Sequence, residues 1–122
     1  MSNAASSWHP TLDELRAVHA ASSETVKETP VFSLGELSRR HGGRVVVKAE
    51  SMQRTGSFKL RGSLAKLSGK DPGNCRGVVA GSAGNHGQAL AYAARARAIP
   101  CTVFMPRDAA RSEEHTSELQ SQ

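Results

Sequence analysis

Residues 55–62 read Thr-Gly-Ser-Phe-Lys-Leu-Arg-Gly, and this stretch decides how the rest of the chain is interpreted. Its central lysine, Lys59, stands between an aromatic and an aliphatic residue, after a predicted strand and at the beginning of a predicted helix. The helix dipole opposes a positive charge at that end. The position is therefore poor for an ammonium ion and favours an amine that attacks a carbonyl compound and stays bonded to it. The alternative is a partly buried structural lysine that pairs with Glu50 or Asp71.

The composition of the 122-residue chain is that of one small domain with few aromatic residues, 4%, and a formal net charge of +5. A basic protein of this size is a candidate for nucleic-acid binding. However, its lysines and arginines form no run. They are also not interleaved with aromatic residues, whereas proteins that bind single strands use aromatic side chains to stack the bases. We therefore expect no nucleic-acid partner, and the positive charge suits a small phosphorylated ligand instead.

The two cysteines, Cys75 and Cys101, have neither metal-ligand nor redox spacing, so we expect reduced thiols and no metal. No apolar run is long enough to cross a membrane, and the N-terminus lacks the pattern of a secretory signal. We expect a cytoplasmic protein without a membrane partner.

The first half of the chain is predicted to mix helices with short strands. Thr11 and Glu14 have the spacing of a capping box, which places a helix N-terminus at Thr11. The further elements expected before residue 70 are an extended segment at 29–32, a helical turn at 35–40 that ends at Gly42, a strand at 44–50, and a helix at 57–67 capped by Ser57.

The second half has the pattern of a βαβ unit. Two short apolar strands, at 77–81 and 101–105, flank an alanine-rich helix that runs to about residue 98. Short connections in this order predict a parallel sheet with a right-handed crossover. Pro72 and Gly73 lie in a turn at 70–74, where we place a boundary between a domain at 1–70 and the start of a second domain at 71–110.

Residues 111–122 do not fit this pattern. They resemble a common sequencing adapter translated in frame, so we expect them to be an artefactual tail; the alternative is an ordinary acidic helix.

The loop between the second-half strand and helix, residues 81–87, carries a second motif, Gly-x-x-Gly-x-x-Gly. It is neither the Gly-x-Gly-x-x-Gly fingerprint of dinucleotide-binding proteins nor a phosphate-binding P-loop. Glycines let the backbone approach a ligand, and a helix N-terminus offers free N–H groups to an anion. Ser82 and Asn85 therefore either help to hold a carboxylate and a phenolic oxygen or only cap the helix.

Taken together, residues 57–62, Ser-Phe-Lys-Leu-Arg-Gly, and residues 82–88, Ser-Ala-Gly-Asn-His-Gly-Gln, resemble the serine/threonine dehydratase group of pyridoxal-phosphate enzymes. The resemblance extends from about residue 29 to 106. It implies an α/β fold of type II, built from two domains with parallel βαβ units and with pyridoxal 5′-phosphate between them. This chain would be its N-terminal fragment.

The resemblance also assigns roles to residues. Lys59 is expected to carry the cofactor and to act as the catalytic base, with Phe58 packed against the cofactor and Asn85 hydrogen-bonded to its phenolic oxygen. The expected ligands of the substrate carboxylate lie in the 82–86 loop: Ser82, Ala83, Gly84, Asn85 and His86.

The implied activity is a lyase reaction, the dehydration of threonine or serine; threonine would give 2-oxobutanoate and ammonia. Ala83 occupies the place of the second-face serine of the related serine racemases, which favours elimination over racemisation. Leu60 instead of aspartate disfavours cysteine-synthase and threonine-synthase relatives. The full-length enzyme is expected to be a homo-oligomer, and a role in isoleucine biosynthesis or in threonine breakdown stays open.

The glycine-rich loop that grips the cofactor phosphate in this family is absent from the chain, as is the partner of the pyridine nitrogen. We therefore expect an inactive truncated fragment, with a weak cofactor band at most and with exposed apolar surface on the strands of Val78 and Val103. The alternatives are a serine racemase-like or other fold type II enzyme, and a basic α/β fragment without activity.

Overall fold

The computed structural model describes residues 9–109, so the predicted tail at 111–122 lies outside the described residues. Four helices and four short strands alternate along this part of the chain. In order they are α1 (Leu12–Ser22), β1 (Val31–Ser33), α2 (Gly35–His41), β2 (Val46–Lys48), a 3₁₀ turn (Glu50–Met52), α3 (Lys59–Ser68), β3 (Val78–Gly81), α4 (Asn85–Ala96) and β4 (Cys101–Phe104).

Helix α1 begins at the predicted capping box. The Thr11 side chain accepts a hydrogen bond from the Glu14 amide, and the Glu14 carboxylate accepts one from the Thr11 amide. Helix α2 ends at Gly42, whose φ of 65° lies in the left-handed region that favours glycine. Both helix ends are confirmed.

The strands form two separate pairs within the described residues. Strands β1 and β2 are antiparallel, with Phe32 opposite Val47, and β2 is shorter than the predicted strand at 44–50. Strands β3 and β4 are parallel, with Val78 opposite Cys101 and Gly81 opposite Phe104, and α4 connects them. The predicted parallel βαβ unit and the α/β class are therefore confirmed.

The core lies where α3 and α4 pack against each other. Leu60, Leu64 and Leu67 of α3 are buried together with small residues of α4 such as Ala89 and Ala93. Alanines on one helix leave room for leucines on the other, which brings the two helices close. The core thus includes residues from both sides of the proposed domain boundary at 70–74, which stays a prediction.

The predicted cap of α3 is wrong. The N-cap position is occupied by Phe58, which makes no side-chain capping bond, and the Ser57 hydroxyl is buried without a hydrogen-bond partner. Local spacing favoured serine as a cap, but the backbone becomes helical one residue later than that role requires.

Among residues 9–109, one face of the βαβ sheet is covered and the other is not. Ala80 faces the core and is buried, whereas Val79 and Phe104 are 69% and 65% exposed. The exposed apolar surface expected on these strands is therefore present.

Candidate active site

Lys59 is the first residue of α3 and is half-buried. Its Nζ lies 4.8 Å from the centroid of the Phe58 ring, and that ring is 62% exposed. Within residues 9–109 no carboxylate forms an ion pair with Lys59. The alternative of a structural lysine paired with Glu50 or Asp71 therefore finds no support, and the amine stands beside an open aromatic face.

Glu50 is instead bound by Arg61, two residues after Lys59. Nε and Nη2 of Arg61 donate to the two carboxylate oxygens at 2.8 Å each, the forked geometry of a strong charge-assisted pair. The Thr29 hydroxyl donates to the same carboxylate. The hydrogen bonds from Arg61, helped by Thr29, lower the pKa of Glu50 to about 2 although partial burial works against them.

A buried amide, Gln53, holds the segment before β1. Its side-chain oxygen accepts from the Lys27 amide at 2.8 Å, and its side-chain nitrogen donates to the Lys27 carbonyl at 3.0 Å. Only 4% of Gln53 is exposed, so both bonds are shielded from water. Lys27 is therefore fixed next to the chain that leads into α3.

Sequence alone suggested Glu50 only as a possible partner of Lys59 and assigned no role to Gln53 or Arg61. Arg61 lies in the first motif of the resemblance, residues 57–62. A partly buried glutamate eleven residues before an arginine leaves no local signature, because the pairing depends on how the chain turns between them.

The loop of residues 82–86 leads into α4, and its serine stabilises the turn. Ser82 Oγ accepts hydrogen bonds from the amides of Gly84 and Gly87, at 3.2 and 3.0 Å. This is the capping role that the sequence left open. It leaves the hydroxyl engaged with the loop itself.

The remaining polar groups of this loop are available to a ligand. Within the described residues, the backbone N–H groups of Ala83, Asn85 and His86 have no acceptor, as is usual at a helix N-terminus. The Asn85 side chain, which is exposed, has no hydrogen-bond partner in the same part of the chain. Several donors are therefore directed outward at the N-terminus of α4.

The contacts of Arg97 indicate how the helices that carry the two motifs are oriented relative to each other. Its Nη2 donates to the carbonyls of Ser68 and Lys70, at 3.1 and 3.3 Å, and so joins the region after α4 to the C-terminal end of α3. Because the helices also pack against each other, their N-terminal ends lie on the same side. The structure thus brings Lys59 and the 82–86 loop to one end of the helix pair.

An open, mainly apolar depression lies at the carboxyl ends of the parallel strands, where ligands bind in α/β sheets. It is lined by Gly81, Ser82, Ala83, Phe104, Met105 and Pro106.

Lys59, Phe58 and Asn85 have the chemistry to hold one end of an aldehyde cofactor. They offer an amine without a carboxylate partner, an exposed aromatic ring and an unpaired amide side chain. Among residues 9–109 there is no second glycine-rich loop that would receive a phosphate. Within the described residues, Lys59 is therefore the candidate attachment point and the 82–86 loop the candidate substrate loop, and both assignments stay predictions.

Two further findings concern the cysteines and the helices of the described residues. Cys75 and Cys101 are both free thiols, and burial raises the pKa of Cys101. None of the helices between residues 9 and 109 has the length and apolar character needed to cross a membrane.

Comparisons with curated proteins identify relatives with several activities. The chain is 37% identical to a serine racemase of Dictyostelium discoideum over 100 residues, which is 81% of this chain and 31% of that protein. It is 39% identical to an L-threonine ammonia-lyase of Thermotoga maritima, over 84% of this chain and 26% of the relative. It is 49% identical to an L-threo-3-hydroxyaspartate ammonia-lyase of a Pseudomonas species, over 66% and 26%.

The solved structures lead to the same group. Maize serine racemase matches with a TM-score of 0.79 and 31% identity, over 93% of this chain and 35% of that structure. The chain thus spans about a third of the length of the proteins it matches. The expected α/β piece of a fold type II enzyme is confirmed. The family model described as "Pyridoxal-phosphate dependent enzyme" matches residues 22–120, and the chain belongs to this family of pyridoxal-phosphate-dependent enzymes, close to its ammonia-lyases and racemases.

Proposed function

We propose that this chain provides the lysine-bearing part of a pyridoxal-phosphate-dependent ammonia-lyase that acts on β-hydroxy amino acids, with threonine or serine as substrate. The observation that carries the proposal is the placement of Lys59. Its amine has no carboxylate partner within residues 9–109, lies beside the Phe58 ring, and shares one end of the α3–α4 pair with the 82–86 loop. When bound, pyridoxal phosphate supplies an electron-poor ring that stabilises negative charge at the substrate α-carbon.

Each residue of the site then has a defined task. With pyridoxal phosphate bound, Lys59 would hold it through Nζ, and the same nitrogen would take the α-proton of the substrate. Phe58 offers an apolar surface to the cofactor, and Asn85 a hydrogen-bond donor to its phenolic oxygen. The N–H groups of Ala83, Asn85 and His86, in a loop stabilised by Ser82 and Gly84, bind the substrate carboxylate.

Serine racemases among the relatives make racemisation the second candidate. Inverting the α-carbon requires a proton donor on the face opposite Lys59. The side chain of Ala83 carries no exchangeable proton, which favours elimination of the β-hydroxyl. The name of the Pseudomonas relative makes a β-hydroxy substrate with a second carboxylate worth testing beside threonine and serine.

Trapping the cofactor tests the lysine. The chain is incubated with pyridoxal phosphate and reduced with borohydride, which makes even a weak attachment permanent, and the labelled lysine is identified by mass spectrometry. We expect label at Lys59 in preference to the other four lysines, and its loss in Lys59→Ala but not in Lys66→Ala on the same helix. Equal labelling of all five lysines would contradict the proposal.

The reaction is tested in a hybrid in which this chain replaces the matching segment of the Thermotoga L-threonine ammonia-lyase. We expect the hybrid to form a 2-oxo acid from threonine or serine, and to form more of it than the 122-residue chain does by itself. The hybrid with Lys59→Ala is expected to form none. Circular dichroism and size-exclusion chromatography report whether each hybrid has folded, and absorption reports whether it has bound the cofactor. A folded, cofactor-loaded hybrid that only racemises serine would favour the second candidate.

A further inference from the structure

The strongest unassigned feature of the molecule is the group of side chains around Glu50, which lies outside the proposed cofactor and substrate contacts. Its carboxylate is 16% exposed and receives two hydrogen bonds from Arg61 and one from Thr29. Lys48 Nζ lies 3.9 Å from the same carboxylate and donates to the Thr29 carbonyl at 2.9 Å. One acidic group therefore joins β2, the chain before β1 and helix α3.

The contact reaches α3 in its first turn, where Lys59 lies. This end of the helix lacks a side-chain cap and has no acidic residue of its own. The link to Glu50 is therefore a specific contact that holds the turn against the rest of the structure. Arg61 Nη2 also approaches the Lys27 carbonyl, at 3.4 Å, and Gln53 fixes Lys27 from the other side.

The same contact sets the charges near the amine. Residues two apart on a helix do not face each other, so Arg61 does not lie against Lys59. Because Glu50 is occupied by Arg61, it is not available to hold Lys59 in an ion pair. The arrangement leaves the amine free and fixes the backbone that carries it.

We propose that Glu50, acting through Arg61, is a positioning residue that fixes the first turn of α3 and thereby directs the Lys59 amine towards the cofactor. This inference rests on the proposed function, because it assigns a task relative to the cofactor-bearing lysine. Reacting groups lose much of their rate when they are misplaced by even an ångström. The effect therefore belongs to the reactivity of Lys59 and not only to stability.

The test compares two lysines of α3 in the same molecule. The intact chain is treated with pyridoxal phosphate and borohydride, and the ratio of label at Lys59 to label at the exposed Lys66 is measured. We expect Glu50→Gln to lower this ratio roughly tenfold, a smaller loss than the roughly 100-fold that a displacement of about 1 Å can cause. The matched control is Glu36→Gln, since Glu36 also pairs with arginines but lies on α2, and here the ratio stays unchanged.

Rescue separates positioning from general loss of structure. Replacing both partners of a hydrogen-bonded pair by neutral groups is far less costly than leaving one charge unpaired. The double variant Glu50→Gln/Arg61→Gln is therefore expected to recover part of the Lys59:Lys66 ratio. A role limited to stability would change unfolding midpoints without this selective fall and recovery. An unchanged ratio in folded Glu50→Gln overturns the inference.

Two outcomes distinguish this inference from the proposed function. If the unmodified chain shows no preference for Lys59, the proposed function itself fails and the positioning role with it. If the preference exists but Glu50→Gln keeps it, only the positioning role fails. Should Glu50→Gln not fold, Arg61→Lys, which keeps the charge but loses the fork, is expected to lower the ratio, and an unchanged ratio there also overturns the inference.

Discussion

The Glu50 carboxylate joins three segments of the chain, and its ionisation makes stability depend on pH. Glu50 accepts from Arg61 and Thr29 in the folded protein, and these bonds hold its pKa at about 2 against an ordinary value of 4.5. Because the folded-state pKa is depressed, the stabilisation is fully present above the ordinary value. It is lost as the pH falls towards the folded-state value.

We therefore expect the free energy of unfolding to contain a contribution from Glu50 that disappears between about pH 5 and pH 2. Its size is roughly 1–3 kcal/mol, at the lower end because solvent screens a pair whose arginine is partly exposed. Urea unfolding across this pH range measures it. Other acidic groups also titrate here, so the informative quantity is the difference between the unmodified chain and Glu50→Gln. A difference that stays constant with pH would refute the assignment.

Glycines in the two central helices have opposite structural roles. A Cβ on Gly87 of α4 would lie 3.0 Å from Val103 Cγ1 and 3.1 Å from the Ser82 carbonyl oxygen, both too close. A Cβ on Gly62 of α3 would meet nothing within 4 Å. Helix α4 therefore packs tightly against β4 and the Ser82 backbone at Gly87, whereas α3 has open space at Gly62.

This contrast predicts opposite effects of one substitution. We expect Gly87→Ala to destabilise the chain by about 1–3 kcal/mol, the usual cost of overpacking. Gly62→Ala is expected to stabilise it by about 0.5–1 kcal/mol, because alanine is the better helix former. Denaturant midpoints measured under the same conditions provide the comparison. If both substitutions destabilise the chain, the open space found around a Cβ at Gly62 does not describe its packing, and the contrast is refuted.

Local signals explain which elements were predicted from sequence. The capping box of α1 and the glycine end of α2 involve residues three to four apart, and both were found. The parallel βαβ unit followed from the order of short apolar strands around an alanine-rich helix. The start of α3 was misplaced, because Ser57 is a good cap by type but lies one residue too early.

Only part of the candidate site could be predicted from the sequence, because local signals do not show which distant segments come together. Lys59 and the 82–86 loop were predicted as site residues from their motifs, but nothing local indicated that they lie at the same end of a helix pair. That arrangement includes a contact from Arg97, which reaches back 29 residues to the Ser68 carbonyl. Likewise, Gln53 reaches 26 residues back to Lys27. Contacts at such separations are set by the tertiary fold and have no sequence period.

At the scale of the whole molecule, the βαβ sheet is incomplete within the described residues. It has two strands, so β3 and β4 each keep an unpaired edge, and Val79 and Phe104 expose large apolar side chains on the uncovered face. Parallel sheets are normally covered on both faces, and open apolar edges promote association. The relatives, about three times as long, have much more chain with which to cover such a sheet.

We expect the chain to self-associate through this surface. Val79→Lys places a charge at its centre, of the same sign as the net charge of +5, and should shift the chain towards monomer in light scattering and size-exclusion chromatography. The matched control is Leu12→Lys on α1, where the original side chain is 60% exposed but no strand edge is near. Both variants add one positive charge, so general repulsion acts equally in the two. A selective effect of Val79→Lys therefore assigns association to the open sheet, whereas equal effects would assign it to net charge alone and remove the sheet from the explanation.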